Sequence, residues 1–486
     1  MSNDSKKSGS APPLRVPAGV RFDAAKSGGK PPPAAISTQS RPQAAASQRV
    51  HSKPVAPGHR PPTPGPKKAP RFIPKEPRSW EEAGVDPEFV LGVALRMLVG
   101  QSNISGKQVS GWLALPLPLT GDVLNAMKTR KYLEFVGTNA IGDHLVKLTE
   151  MGKKAAADSK KLTTFVGPVP VPYDKYVDSI KAQSLTHANT APADLRRAFN
   201  DISVSDDMLD RLGPAVTSCS SLFLFGPPGN GKTTMAERIT RVFGDAVWIP
   251  RTIQVGSELI KLFDPAVHNE IPPNPELMKR HRVDRRWVLI ERPTVIAGGE
   301  LTLDMLELAH DEQTNVSEAP LQMKANCGTL VIDDFGRGHT KPQDLLNRWI
   351  FPLEKRYDFL KLPDGRKVEC PFDCLLVFST NLEPRDLADE AFMRRIPYKI
   401  FANNPDEEEF KALIELTAKK YGVTLLPHSV KYLIERHYKM KNREFRFCHP
   451  RDLLLQVCHY ADYTGTEKRC GPPEWDRVVS NYFGLS

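Results

Sequence analysis

Lys232 and Thr233 close the run Gly226-Pro-Pro-Gly-Asn-Gly-Lys-Thr233, the stretch of this chain with the most specific chemistry. The run fits G-x-x-x-x-G-K-[ST], in which glycines let backbone N–H groups turn inward around phosphate oxygens. A lysine there reaches β- and γ-phosphates, and the hydroxyl after it helps hold Mg²⁺. Gly226, Pro227, Pro228, Gly229, Asn230, Gly231, Lys232, Thr233 and Thr234 are therefore the candidate nucleotide-binding residues, with ATP and Mg²⁺ as the expected cofactors. Two further runs end in groups that such a site needs. Gly328-Thr-Leu-Val-Ile-Asp-Asp334 ends in two carboxylates: Asp333 is the candidate metal ligand with Thr233, and Asp334 the candidate for polarising an attacking water. Leu375-Leu-Val-Phe-Ser-Thr-Asn381 ends in a carboxamide suited to orienting a water or touching the γ-phosphate.

Each of these groups needs an element to place it. Ser221-Leu-Phe-Leu-Phe225 reads as a buried parallel strand, and Thr234-Met-Ala-Glu-Arg-Ile-Thr-Arg-Val-Phe243 as the helix after the loop. That strand, loop and helix context is what the motif requires. The runs before Asp333 and Asn381 read as further buried strands. Ligands of open α/β sheets bind at the C-terminal ends of such strands, where these side chains fall.

Phosphate loop, acidic strand and Thr-Asn strand, in that order, resemble the AAA+ ATPases, with Asn381 matching their sensor 1. The resemblance extends to Asp389-Glu-Ala-Phe-Met-Arg-Arg395, which matches the helix ending in their arginine finger; Arg395 is the first choice for that role and Arg394 the second. His449-Pro-Arg-Asp-Leu453 resembles sensor 2, which places Arg451 over the γ-phosphate from the lid. A helix at Leu345–Glu354 and a hairpin over Tyr357–Pro371, turning at Pro363-Asp-Gly-Arg366, resemble the pre-sensor-1 insertion shared by MoxR-type ATPases, enhancer-binding activators and MCM helicases. Arg366 and Lys367 near that tip are candidates to grip a substrate. Room remains between Lys232 and Asp333 for a second insertion, to which Arg285–Gly299, with alternating Trp287, Leu289 and Val295, would contribute. The activators' Gly-Ala-Phe-Thr-Gly-Ala loop is missing, which argues against their job. The family usually carries Glu where this chain has Asp334, one methylene shorter. The resemblance implies an ATP hydrolase working as a homo-oligomer, a hexameric ring, that remodels a partner macromolecule, a protein substrate first of all.

The expected fold class is α/β: a P-loop AAA+ parallel sheet with helices on both faces (215–403) and an α-helical C-terminal lid (404–486). Before them stand a linker (158–214) and a small α+β domain (82–157). In that domain helices at Pro87–Leu98, Gly106–Leu113 and Thr120–Lys131 precede two short strands, Tyr132–Val136 and His144–Leu148. Three helices and then a hairpin resemble a winged helix-turn-helix, with Lys128, Arg130 and Lys131 at the end of the recognition position. The same fold also serves as a protein-contact module. Residues 1–78 hold fifteen Lys/Arg against three Asp/Glu and sixteen of the 44 prolines, so the segment carries +12 while the whole chain carries +10 and the remainder is slightly acidic. Such a segment buries too little to offset chain entropy and is expected to be disordered. It is either a loose tether for nucleic acid or a solubilising leader.

The seven cysteines form no C-x-x-C pair, so reduced thiols are expected rather than disulfides or zinc. No apolar run has the length of a membrane span, and a cytoplasmic location is expected. Besides the remodelling ATPase, two other readings fit the sequence. One is an ATP-dependent DNA-binding regulator using residues 1–78 and 82–157; the other is a nucleotide-gated scaffold with little turnover.

Overall fold

In the computed structural model, which describes residues 72–484 except 140, 141, 189, 388 and 389, five short apolar runs pair into one parallel sheet. They are β1 (Leu222–Phe225), β2 (Thr294–Ala297), β3 (Thr329–Ile332), β4 (Leu375–Thr380) and β5 (Tyr398–Phe401), in the order β2-β3-β4-β1-β5. Every residue of β3 and β4 is buried, as expected of strands covered on both faces. Two layers of helices supply the cover. On one face Leu212 and Val216 of helix Asp206–Thr217, with Met235 and Ile239 of helix Lys232–Ile239, meet Leu222, Leu224, Val331 and Val377. On the other, Leu345, Leu346 and Trp349 of helix Pro342–Lys355 meet Phe223, Leu330 and Phe378, the Trp349 and Phe378 rings 5.8 Å apart.

Between helix Lys232–Ile239 and β2 the chain builds a separate β structure. Ala246–Pro250 pairs antiparallel with Trp287–Glu291. Thr252–Val255 and Glu258–Lys261 form a hairpin inside a second five-stranded sheet, which Val171–Pro172 completes at one edge and Ala309–Asp311 at the other. The alternating stretch expected to lie within an insertion thus divides: Trp287 and Leu289 belong to it, whereas Val295 is buried in β2. Apolar alternation alone does not tell which of two sheets a strand will join.

The expected hairpin is present, as Tyr357–Lys361 paired antiparallel with Lys367–Pro371, and Gly365 takes φ +86° in its turn. It stands between helix Pro342–Lys355 and β4. The C-terminal region is helical, with Glu407–Tyr421, His449–Thr464 and Pro472–Phe483 packed around Phe410, Leu453, Leu454 and Trp475. No helix among the described residues is long and apolar enough to cross a membrane.

Toward the N-terminus, helices Pro87–Leu98, Gly106–Leu113 and Leu117–Thr129 enclose a core with the antiparallel sheet of Ile104–Ser105, His144–Leu148 and Leu133–Thr138. The third helix begins and ends earlier than expected from sequence, with Pro118 in its first turn, where a missing N–H costs nothing. The region read as linker contributes helix Tyr173–Gln183, whose Tyr176 and Ile180 are buried against the inserted strands. The basic tail falls outside the described residues up to residue 71.

One buried ion pair ties these parts together. Arg286, 1% exposed, is held by Asp284 at 2.8 Å and donates to the carbonyls of Ala83 (2.9 Å) and Pro170 (3.2 Å). Its neighbour Arg285 donates to Ser110 Oγ at 2.9 Å. Arg286→Ala would leave the Asp284 carboxylate buried without its partner, a loss expected to cost about 3–5 kcal/mol. Denaturant unfolding of Arg286→Ala checks this, with a clear fall in midpoint expected; an unchanged midpoint would mean the pair contributes nothing to stability.

Candidate nucleotide site

The loop after β1 turns through Gly226 at φ +137° and Gly229 at φ +83°, then enters its helix from Gly231 at φ +71°. A β-carbon on Gly226 would sit 2.8 Å from the Ala402 carbonyl, and one on Gly229 2.5 Å from Cys448 Sγ, so neither place admits a side chain. Helix Lys232–Ile239 has no side-chain cap, which leaves its first N–H groups available to an anion.

Lys232 is only 7% exposed, and its ammonium donates to the Gly226 and Pro227 carbonyls, each at 2.9 Å, and to Asn381 Oδ1 at 2.6 Å. Burial pulls its proton affinity down, the nearby Asp333 and Asp334 carboxylates push it up, and Arg337 and Arg446 lower it again. Thr233 Oγ1 donates to Asp333 Oδ2 at 2.7 Å. Asn381 Nδ2 faces Asp334 Oδ1 at 3.5 Å, a weak contact. The carboxamide of Asn381 thus stands between the lysine and the second carboxylate. Two bonds set it there: Thr380 Oγ1 donates to the Phe335 carbonyl at 2.7 Å, and the Leu382 N–H donates to Thr380 Oγ1 at 3.1 Å. Asp334 takes φ +48°, the left-handed region that Asp tolerates better than most side chains, and its carboxylate is exposed.

A hydroxyl and a carboxylate converging beside a phosphate loop are hard oxygen donors of the kind Mg²⁺ takes alongside phosphates and water. Thr233 and Asp333 therefore fit that ion. Lys232, Thr233, Asp333, Asp334 and Asn381 are brought together; the two arginines considered for the finger are engaged elsewhere. Arg394 pairs with Glu390 at 2.8 Å and Arg395 with Glu354 at 3.4 Å, just beyond helix Glu390–Met393. Asp389, which opens the finger motif, lies outside the described residues. Arg451 stands in the first turn of helix His449–Thr464 and pairs with Asp452 at 2.8 Å, its side chain 62% exposed.

Sequence reasoning passed over the residues of the helical C-terminal region nearest the loop. The Cys448 N–H donates to the Gly229 carbonyl at 3.0 Å, and Arg446 contacts Asn404, which accepts from Asn230 Nδ2 at 2.8 Å. Nothing in the spacing of Arg446, Cys448 or Asn404 marks them. Only the motif at His449, three residues after Arg446, points to the neighbourhood.

Residues 406–481 match a family model described as a domain of unknown function, DUF8689. No curated protein matches the chain. Among solved structures, NtrX from Brucella abortus is similar over 64% of this chain and 57% of its own, at 13% identity and TM-score 0.35. NtrX in complex with ATP gives 12% identity and TM-score 0.33 over 63% of this chain and 55% of its own. The Thermotoga maritima RuvB Holliday junction branch migration motor gives 13% identity and TM-score 0.31 over 61% of this chain and 72% of its own. This chain therefore spans little more than half the length of NtrX. At these scores the functional reading rests on the site itself.

Proposed function

We propose that this chain is a Mg²⁺-dependent ATP hydrolase of the AAA+ type that works as a homo-oligomeric ring, a hexamer in the family's usual form, and remodels a protein partner in the manner of MoxR-type ATPases. The observation that carries the reading is the convergence of Lys232, Thr233, Asp333 and Asn381 at the ends of three adjacent parallel strands.

In this reading the loop N–H groups and Lys232 bind the triphosphate, and Lys232 exchanges its carbonyl partners and Asn381 for phosphate oxygens. Thr233 and Asp333 hold Mg²⁺, which neutralises charge on the phosphates when bound. Asp334 takes the proton of the attacking water, and Asn381, released from Lys232, orients that water or the γ-phosphate. Arg451 approaches from the lid. Arg395, or Arg394 beside it, completes the site of the neighbouring subunit. Hairpin residues Arg366 and Lys367 are the candidates to engage the partner.

The N-terminal domain fits a winged-helix reading, since its first short strand pairs with the last of three. A protein-contact role is favoured there, because two of the three basic side chains considered for DNA, all but Lys131, are already engaged. Arg130 pairs with Glu88, and Lys128 lies 4.3 Å from the centre of the Phe135 ring.

Lys232→Ala should abolish ATP binding, since it deletes the only long cationic side chain in the loop. Near-native affinity by calorimetry would refute the loop reading. Asp334→Asn should bind ATP normally and trap it, because the metal position at Asp333 is untouched; turnover at the wild-type rate would remove Asp334 from the chemistry.

Arg395→Ala should leave binding intact and suppress turnover, because the finger acts across the subunit boundary. Mixed with Asp334→Asn it should regain some activity, at sites with an intact Asp334 on one subunit and an intact Arg395 on the next. No recovery in rings shown to mix would count against the role in trans.

A further inference from the structure

Asn230 stands immediately before Gly231 and Lys232 in the phosphate loop and is 3% exposed. Both donors of its carboxamide are used: Nδ2 bonds the Ala402 carbonyl at 3.2 Å and Asn404 Oδ1 at 2.8 Å. Its Oδ1 is buried with no donor in reach among the described residues. The amide is therefore oriented from its nitrogen side alone, and Asn404 supplies the shorter of the two anchors. Asn404 lies just past β5, where the sheet domain passes into the helical region, and the same Oδ1 accepts from Arg446 Nη1. Arg446 is itself steadied by Glu444 at 2.6 Å. A second tether runs alongside, from the Cys448 N–H to the Gly229 carbonyl at 3.0 Å.

We propose that Arg446 is a positioning residue for ATP binding, acting from the lid through Asn404 on Asn230 and so on the backbone that presents Lys232. It rests on the reading of this loop as a nucleotide site, but it assigns to the lid a contact with the loop rather than with the nucleotide. One acceptor oxygen takes donors from two domains. Movement of the lid that withdraws Arg446 frees Asn404 to turn, and Asn230 then loses its better anchor. The loop is set for phosphate only while the lid is seated, so binding and lid position are one equilibrium.

A double-mutant cycle on the full chain tests this with Mg-ATP. Arg446→Ala and Asn404→Ala are each expected to raise the KM for ATP about tenfold with kcat within about twofold, and the double variant to be no worse than either alone. Arg446→Lys keeps a donor for Asn404 and should recover most of the affinity. Asn404→Asp keeps an acceptor for both partners and should bind ATP at least as well as wild type, which guards against a variant that merely folds poorly. Unchanged KM in either alanine variant, single effects that multiply in the double, or an Asn404→Asp variant as weak as Asn404→Ala would each overturn the relay. If the wild-type chain binds no ATP, the nucleotide reading itself falls; if it binds and the Asn404 variants are indifferent, only the relay does.

Discussion

The parallel hydrogen-bonded register of β4 between β1 and β3 is the constraint on which the candidate site depends. Val377 lies opposite both Leu222 and Val331, and Thr380 opposite Phe225, so three strands from distant parts of the chain end at the same edge of the sheet, β3 two residues before the others. Their next residues, at the phosphate loop, Asp333 and Asn381, are thereby brought close, and the two bonds of Thr380 finish the placement of Asn381. Parallel ladders need crossovers and cover on both faces, and the two helical layers provide both. A slip of one residue in β4 would turn its side chains to the opposite faces. It would bury Asn381 or Ser379 in the wrong layer and take the carboxamide away from Lys232.

The electrostatics of the site follow from that crowding. A buried ammonium is costly unless paired, and Lys232 is satisfied by two carbonyls of its own loop and by Asn381. In the proposed reading, a polyphosphate would exchange with these internal acceptors of Lys232. Asp333 is similarly occupied by the hydroxyl of Thr233.

What the sequence made legible were features with a fixed local grammar. Gly229 and Gly231 with Lys232 and Thr233 define the loop, and the wholly apolar runs before Asp333 and Asn381 mark fully buried strands. Pro363-Asp-Gly-Arg366 marks the hairpin turn. Such signals depend on neighbours in the chain. Val295 was illegible as a core-sheet residue because an alternating strand looks the same in an inserted sheet as at the edge of the main one. Arg446 and Asn404 were illegible because their contact joins the segment before helix His449–Thr464 to the segment after β5, and no local pattern encodes a pairing of that kind. Arg286 is the strongest case: nothing in its sequence neighbourhood marks it as buried, yet it is enclosed with Asp284 under carbonyls from Ala83 and Pro170.

The short edge strand Val171–Pro172 has a consequence for the order in which the molecule is assembled. Its partners are Ile253 and Gln254, which lie beyond the whole of β1, the phosphate loop and its helix. During synthesis the N-terminal helical domain can close on its own core early, but the strand that follows it has nothing to pair with until the inserted hairpin has emerged. Contacts of such long sequence separation form slowly, since loop closure must precede any gain from pairing. In sequence the phosphate loop thus lies between two parts of a sheet completed only after it, so the inserted β structure, far from being an appendage, supplies the pairing on which the front of the chain depends.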